Sequence, residues 1–392
     1  MGGSESSGNR PISESGGVHQ EEAKMIEMDG RDLIWSVAFL VDERHIVSGG
    51  KEGKIRCWRV EDGKEMGAPM DAGAHVMDIA VSHDGKWVVS GTDSGETTVW
   101  NAERRSRITK FNGHRNWVRA VDVSPDATKI ATGSEDRTAC VWSLSTGERL
   151  LGPLEHNSDW VVAVKFSPNG HLIATATWAN FVRIYDAHSG HLHAQFPVEV
   201  SSATNQSLAW ASDSEQLFAL SRDGNIHCLD VSTRATLSQW LIHSSNDVKC
   251  IAVASNGAFV AASAGSLVSF WDTTTHKQIG SVIEFSHDIW SMALSASCGL
   301  VAGGKMTITF RALCNTLPSR YFDDVSVPAS NKTRNNKPRF WLLQLNSEVE
   351  KVDLEKTHES LCTQNDGPST FIYLLIHFFL TSMSFRRKNS GS

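Results

Sequence analysis

The sequence predicts an all-β protein built from a repeated unit, and three observations support this prediction. Short runs in which apolar and polar residues alternate are typical of half-buried strands. Turn sequences such as Ser-Pro-Asp at 124–126 separate these runs. A large, usually aromatic residue ends a run about every 42 residues, at Trp58, Trp100, Trp142, Tyr185, Leu229, Trp271 and Phe310. Sequence repeats of about 40–45 residues are typical of a β-propeller, in which each repeat forms one blade.

The clearest unit begins near Asn112 and ends at Trp142. Gly-His at 113–114 opens it, two alternating runs flank the turn at 124–126, and Cys-Val-Trp at 140–142 closes it. These motifs resemble those of the WD-repeat family, and the resemblance covers roughly residues 24–325. It implies an all-β, seven-bladed WD-repeat β-propeller with four-stranded blades, whose stability is a sum of blade-on-blade contacts completed by ring closure.

We expect three strands to be recognisable in every unit. In the third unit they lie on either side of the turn and at the closing tryptophan. In the other units we predict strands at 33–39, 45–50 and 54–58; at 76–82, 87–91 and 97–100; at 160–167, 172–177 and 181–185; at 206–211, 216–221 and 225–229; at 248–254, 259–263 and 267–271; and at 289–295, 300–303 and 306–310.

The two ends of the chain differ from the repeats. Residues 1–23 are polar and predicted to be a disordered tail, because they cannot bury enough apolar surface. A lone strand at 24–28 follows, and the resemblance implies that it closes the ring as the outermost strand of the last blade. We assign 24–325 to the propeller and 326–392 to a partly disordered C-terminal extension.

The extension contains an apolar segment at 371–385. This segment is shorter than the roughly 20 residues that a membrane-spanning helix needs, so a buried or poorly folded strand is favoured over a tail anchor. A tail produced by an altered reading of the 3′ end of the gene is a further alternative.

Composition argues against several functional classes. A net charge of −7 provides no global basic field for direct nucleic-acid binding, which would need a local patch such as 332–337. The seven cysteines have no CxxC spacing, and Cys57, Cys140 and Cys228 fall within predicted strands. Reduced thiols in a cytoplasmic or nuclear protein fit this usage better than disulfides, and residues 1–22 show no signal peptide.

No motif indicates catalysis. The sequence contains no glycine-rich phosphate loop before a helix, no GxSxG and no HExxH. His188, His191 and His193 lie close together but lack a carboxylate or cysteine partner at ligand spacing, so we interpret them as a solvated turn. We therefore predict no enzymatic activity, no catalytic residue, no metal and no cofactor.

The resemblance also implies a buried hydrogen-bond network in the third unit. Its members are His114, the hydroxyl of Thr132 or Ser134, Asp136 and the Trp142 indole, and we assign the hydroxyl to Ser134. Other units depart from this pattern. The place of Asp136 is taken by Glu52, Ser94, Ala179 and Gly265 in units one, two, four and six, and unit five keeps Asp223.

One face of the propeller is expected to bind a partner. In the family, the third and fifth residues after Gly-His and the residue before the turn aspartate lie on the top face. Those offsets select a set rich in tryptophan and arginine, the residue types that dominate binding hot spots. Its members here are Trp35, Met77, Trp117, Arg119, Glu135, Trp160, Trp178, Arg222, Lys249 and Trp290.

The sequence thus predicts a non-enzymatic scaffold that binds a protein or peptide through this face and assists complex assembly. Two alternatives stay open. One is a propeller enzyme of the hydrolase or quinoprotein type, with ligands around the central channel that the sequence does not reveal. The other is an RNA-processing or chromatin-associated scaffold that uses the basic run at 332–337.

Overall fold

The computed structural model describes residues 25–154, 159–178, 181–200, 206–242, 248–295, 297, 299–304, 306–313 and 316–322. Within these ranges the chain forms strands and one short 3-10 helix at Ser319–Tyr321. The predicted N-terminal tail, the C-terminal extension, its apolar segment at 371–385 and the basic run at 332–337 lie outside the described residues. Among the residues described, no helix is long and apolar enough to span a membrane.

The described strands form seven antiparallel sheets of four strands each, which confirms the predicted seven-bladed propeller. The first described strand is β1 (Met25–Asp29). Blade 1 follows with β2 (Ile34–Phe39), β3 (His45–Gly50), β4 (Lys54–Arg59) and β5 (Met70–Asp71). Blade 2 contains β6 (Val76–Val81), β7 (Trp87–Thr92), β8 (Glu96–Asn101) and β9 (Ser106–Asn112). Blade 3 contains β10 (Val118–Val123), β11 (Lys129–Ser134), β12 (Ala139–Ser143) and β13 (Arg149–Leu154).

The remaining blades repeat this order. Blade 4 contains β14 (Val161–Phe166), β15 (Leu172–Thr177), β16 (Val182–Asp186) and β17 (Leu192–Phe196). Blade 5 contains β18 (Leu208–Trp210), β19 (Gln216–Leu220), β20 (Asn225–Asp230) and β21 (Ala235–Leu241). Blade 6 contains β22 (Val248–Val253), β23 (Phe259–Ala264), β24 (Leu267–Asp272) and β25 (Gln278–Glu284). Blade 7 contains β26 (Ser291–Leu294), β27 (Gly299–Gly304) and β28 (Thr307–Ala312).

The ring is closed by β1, which supplies the fourth strand of blade 7. It pairs antiparallel with β28, and Ile26 lies opposite Phe310 in this register. The first strand of the described residues therefore completes the last blade, as the resemblance to the WD-repeat family implies. This pairing removes the open sheet edge that β28 would otherwise leave, because its outer N–H and C=O groups gain partners.

Neighbouring blades approach closely at glycines on their second strands. A Cβ atom built on Gly91 of β7 would lie 2.6 Å from the Val118 side chain of β10, and one built on Gly133 would lie 2.7 Å from Val161 of β14. Real Cβ atoms do not come this close, so only glycine allows the valine of the next blade to pack here. The hydrophobic core is accordingly divided among the spaces between blades.

Polar side chains on the innermost strands tie successive blades together. The Ser36 hydroxyl of β2 donates to Asp78 Oδ1 at 2.9 Å, and the Val121 N–H of β10 donates to Asp78 Oδ2 at 2.7 Å. Asp78 is almost fully buried and thereby connects blades 1, 2 and 3. Burial raises the pKa of Asp78 to about 6, although Lys165 and these hydrogen bonds act in the opposite direction.

This raised pKa predicts a specific pH dependence of stability. An aspartate has a pKa of about 4 in an unfolded chain, so folding favours the protonated form of Asp78. Its contribution is fully present below pH 4 and is lost as the pH rises through 6. Two pKa units correspond to about 3 kcal/mol, and we expect the unfolding free energy of wild type to fall by about that much relative to Asp78→Asn between pH 4 and 7. Urea unfolding of both proteins at several pH values measures this difference, and parallel curves would contradict it.

Candidate functional site

The predicted partner-binding residues share one edge of the sheets. In each four-stranded antiparallel blade, the first strand begins and the second strand ends at the same edge, which we call the upper edge. A recurring backbone bond joins these two points: Glu135 N donates to Trp117 O at 3.0 Å, and Trp178 N donates to Trp160 O at 3.0 Å. The repeat therefore brings residues from the first strand and from the turn after the second strand into one surface.

Five of these residues meet where blades 3 and 4 adjoin, and we call them the blade 3–4 cluster: Trp117, Arg119, Glu135, Trp160 and Trp178. The Arg119 guanidinium lies 5.0 Å from the ring centre of Trp117 and 5.8 Å from that of Trp160. Arg119 Nε donates to Glu135 Oε1 at 2.7 Å. Trp160 and Trp178 meet edge to face with ring centres 5.3 Å apart.

Exposure separates the members of this cluster. Trp117 is 38% exposed, whereas Trp160 and Trp178 are half-buried and pack against the core between blades 4 and 5. Glu135 is nearly buried, and its charge is matched by Arg119. Trp178 thus has a packing role, and Trp117 is the tryptophan of this cluster whose ring is most exposed to solvent.

Other predicted residues lie on different blades. Trp35 meets His75 edge to face at 5.8 Å, and His75 Nδ1 lies 2.9 Å from Asp93 Oδ2. The Lys249 ammonium lies 5.7 Å from the ring centre of Trp290. Met77 is half-buried, and Arg222 is exposed at the start of the turn after β19. Their membership of a binding site stays a prediction.

The buried hydrogen-bond network of blade 3 is present, but one member differs from the expectation. Trp142 Nε1 donates to Thr132 Oγ1 at 2.7 Å, and His114 Nε2 lies 2.7 Å from the same oxygen. His114 Nδ1 continues the network to Asp136 Oδ2 at 2.9 Å. Ser134 is not part of it, because its hydroxyl donates to the Asn116 carbonyl and accepts from the Asp136 N–H.

The network also explains the Gly-His motif and holds the loop that carries Trp117. A Cβ atom built on Gly113 would come within 2.0 Å of Trp142 Cη2, so the indole covers this position closely. Asp136 Oδ2 accepts the Arg115 N–H at 2.9 Å. Burial alone would raise the pKa of Asp136, but hydrogen bonds from His114, Thr138 and the Arg115 N–H keep it well below its usual value. The loop at 113–117 is therefore fixed by an ionised carboxylate.

Blade 1 replaces this network with ion pairs that the sequence analysis missed. Glu52 occupies the place of Asp136, and Arg56 Nε donates to its Oε2 at 2.8 Å. A second carboxylate, that of Glu65, pairs with the other side of the guanidinium. Arg56 is only 5% exposed, so its charge is compensated almost entirely within the protein. One sequence feature could have revealed this cluster: Arg56 is a charged residue at the strand position that Cys140 occupies in blade 3.

The described residues contain no group of three or more histidine, cysteine or acidic side chains placed to hold a metal ion. His188 lies in the turn after β16, where its N–H donates to Asp186 Oδ1 at 3.1 Å, so this aspartate is occupied by capping the turn.

Comparison with known proteins places these features in context. A family model described as "WD domain, G-beta repeat" matches residues 25–59, 71–101, 105–143, 148–186 and 235–272. Actin-interacting protein 1 of Drosophila melanogaster is 30% identical over 100 residues, which is 25% of this chain and 16% of that protein. The chain thus matches about a sixth of that relative's length. The solved structure of U3-55K superposes with a TM-score of 0.66 at 20% identity, covering 74% of this chain and 98% of the other, which shows a shared fold.

Proposed function

Since this chain is a WD-repeat β-propeller protein, we propose that it is a non-enzymatic scaffold that binds a protein or peptide partner at the upper edge of blades 3 and 4. Proteins of this family generally bind protein partners, and assistance in complex assembly is the role that we assign to this chain. The observation that carries the location is the exposed Trp117 ring, held against an arginine that is itself fixed by Glu135.

The blade 3–4 cluster has the properties of a preorganised binding anchor. A tryptophan covers a large area with two rotatable bonds, and contact with a fixed guanidinium restricts those bonds before the partner arrives. Little side-chain entropy then remains to be lost on binding. An exposed but already ordered indole is typical of the few residues that contribute most of the affinity at an interface.

The cellular location is a further part of the proposal. The four described cysteines Cys57, Cys140, Cys228 and Cys250 are all free and buried. Free thiols without disulfides are typical of reducing compartments, which supports the cytoplasm or nucleus.

Replacement of Trp117 with alanine tests the binding site. Because the ring is exposed, we expect the free energy of unfolding to change by less than about 1 kcal/mol, while partner binding is lost. Val41 provides a matched control, since it is 54% exposed in the turn between β2 and β3 at the opposite edge. Proteins captured from extract by wild type and Val41→Ala, but not by Trp117→Ala, would support the site. Equal capture by all three proteins would contradict it.

Trp178 needs separate treatment in this experiment. Its ring packs beside Trp160 against the core between blades 4 and 5, so Trp178→Ala is expected to cost about 2 kcal/mol of unfolding free energy. A variant that combines both changes would therefore mix loss of folding with loss of binding. The single change at Trp117, checked by urea unfolding, keeps the two effects apart.

A further inference from the structure

Two exposed arginines lie in the loops at the edge of blade 3 that carries Trp117. Arg115 is two residues before Trp117 in the loop at 113–117, and Arg137 lies in the turn between β11 and β12. The two segments are joined by the bonds from Glu135 N to Trp117 O and from Arg115 N to Asp136 Oδ2. Their side chains therefore belong to one surface.

Some charged side chains of this surface have ion-pair or hydrogen-bond partners, and others have no ion pair. Glu135 is paired with Arg119, and Asp136 accepts bonds from His114, Thr138 and the Arg115 backbone. Neither Arg115 nor Arg137 forms an ion pair with any residue in the described ranges. Within the blade 3 segments at 113–117 and 135–138, the charged side chains without an ion pair are thus both arginines, although the whole chain carries a net charge of −7.

The backbone that carries Arg137 is already ordered. Arg137 has a φ of 71°, in the left-handed region, and its N–H donates to Ser134 O at 3.1 Å. The Thr138 N–H and hydroxyl both donate to Asp136 Oδ1, which closes the turn on its other side. Both arginines therefore extend from loops held by the blade 3 network, and a ligand would have to order only their side chains.

We propose that the partner segment recognised here is an acidic peptide. An apolar side chain of the peptide packs on Trp117, and carboxylates on either side of it pair with Arg115 and Arg137. Arginine pairs well with carboxylates because its planar guanidinium can donate two parallel hydrogen bonds. Charge complementarity of this kind increases the association rate and selects against neutral or basic segments. This inference rests on the function proposed above and specifies the chemistry of the partner.

The test uses the full-length protein and a displayed library of random short peptides. Selected sequences are synthesised and their affinity is measured by fluorescence anisotropy for wild type, Trp117→Ala, Arg115→Glu, Arg137→Glu and Arg234→Glu. Arg234 is the matched control, because it is exposed, lies in the turn between β20 and β21 at the opposite edge, and also has a positive φ, of 57°. Each selected acidic peptide is also made with asparagine and glutamine, with lysine, and with phosphoserine in place of its acidic residues.

We expect selection of acidic peptides with an apolar residue between the carboxylates. Trp117→Ala should abolish binding, and each charge reversal at Arg115 or Arg137 should weaken it about tenfold, whereas Arg234→Glu should have no effect. The protein with both Arg115→Glu and Arg137→Glu should bind the lysine peptide better than the acidic one. Raising the salt concentration should weaken the wild-type complex.

Other outcomes separate the two proposals. Selected peptides that require Trp117 and yet are neutral would overturn the proposal of an acidic ligand, and so would peptides that bind Arg115→Glu and Arg137→Glu as well as wild type. Neither result would overturn the proposed docking function. Peptides that bind only as phosphoserine forms would overturn the choice of carboxylates. Selected peptides that bind Trp117→Ala as well as wild type would overturn the proposed docking edge itself.

Discussion

Replacement of Arg56 with methionine is expected to lower the free energy of unfolding by about 3 kcal/mol. Arg56 lies between Glu52 and Glu65 in blade 1, and methionine fills a similar volume without a charge. The two carboxylates would then lose their buried cation and keep only two exposed ones, Lys54 at 3.5 Å from Glu52 and Arg31 at 3.3 Å from Glu65. The Arg56 hydrogen bond is the main reason why the pKa of Glu52 is lowered, so its loss also removes the favoured ionised state.

Two controls identify the origin of this effect. Adding Glu52→Gln and Glu65→Gln to Arg56→Met should recover most of the lost stability, because no carboxylate is then left without the buried Arg56 cation, and the remaining cations Arg31 and Lys54 are exposed. Lys86→Met removes an exposed ion pair with Asp84, in which the lysine is 69% exposed. That change should cost less than about 1 kcal/mol. If Arg56→Met unfolds in urea like Lys86→Met, the buried ion cluster does not stabilise blade 1.

Replacement of Thr132 with valine is expected to lower the free energy of unfolding by about 2–4 kcal/mol. The threonine hydroxyl is the point at which the Trp142 indole and the His114 ring meet, and all three side chains are buried. Valine keeps the shape but leaves the indole N–H and a ring nitrogen without partners. We also expect weaker partner binding at Trp117, because this network holds the loop at 113–117.

Thr98 offers an isosteric comparison in blade 2. Its hydroxyl is buried and has no hydrogen-bond partner among the described residues. Thr98→Val should therefore leave the unfolding free energy unchanged or raise it slightly, since no bond is lost and a polar group leaves the interior. Urea unfolding of the two threonine variants measures the difference directly. Equal costs for both would mean that the loss comes from altered packing and not from the network.

The inner three strands of each blade could be predicted from the sequence. Apolar and polar residues alternate along them, and this alternation shows which face of the strand is buried. The strands β3 at His45–Gly50 and β15 at Leu172–Thr177 have the predicted bounds. The fourth strands were not located. In β9, at Ser106–Asn112, every residue is exposed or half-exposed, so no apolar alternation marks it. The position of β9 is set by its hydrogen bonds to β8. Such pairing joins two segments of the chain and leaves no pattern within the β9 sequence itself.

The candidate site could be predicted only in outline. The repeat offset selects Trp117, Arg119 and Trp160 individually, but it contains no information on whether their side chains meet. The same offset omits Arg115 and Arg137, which lie in the two loops joined at this edge of blade 3, because it counts fixed positions and not the exposure of side chains. It also cannot decide between Thr132 and Ser134, which lie two residues apart on one strand and face the same side.

The sequence by itself determined the number of repeated units and the three strands recognisable in each, because periodic burial is a property of neighbouring residues. The fourth strand of each blade and the closure of the ring by β1 were implied by the resemblance to the WD-repeat family, and the structure shows both. Only the tertiary structure decided which side chains share a surface and which are joined by hydrogen bonds. Arg119 contacts the rings of both Trp117 and Trp160 because blades 3 and 4 adjoin, and Thr132 joins Trp142 to His114 because two strands and the loop at 113–117 bring their polar atoms within 2.7 Å. Hydrogen bonds and ring contacts form between distant parts of the chain, and differences of a few tenths of an ångström decide whether they form. A repeat period does not specify distances with this precision.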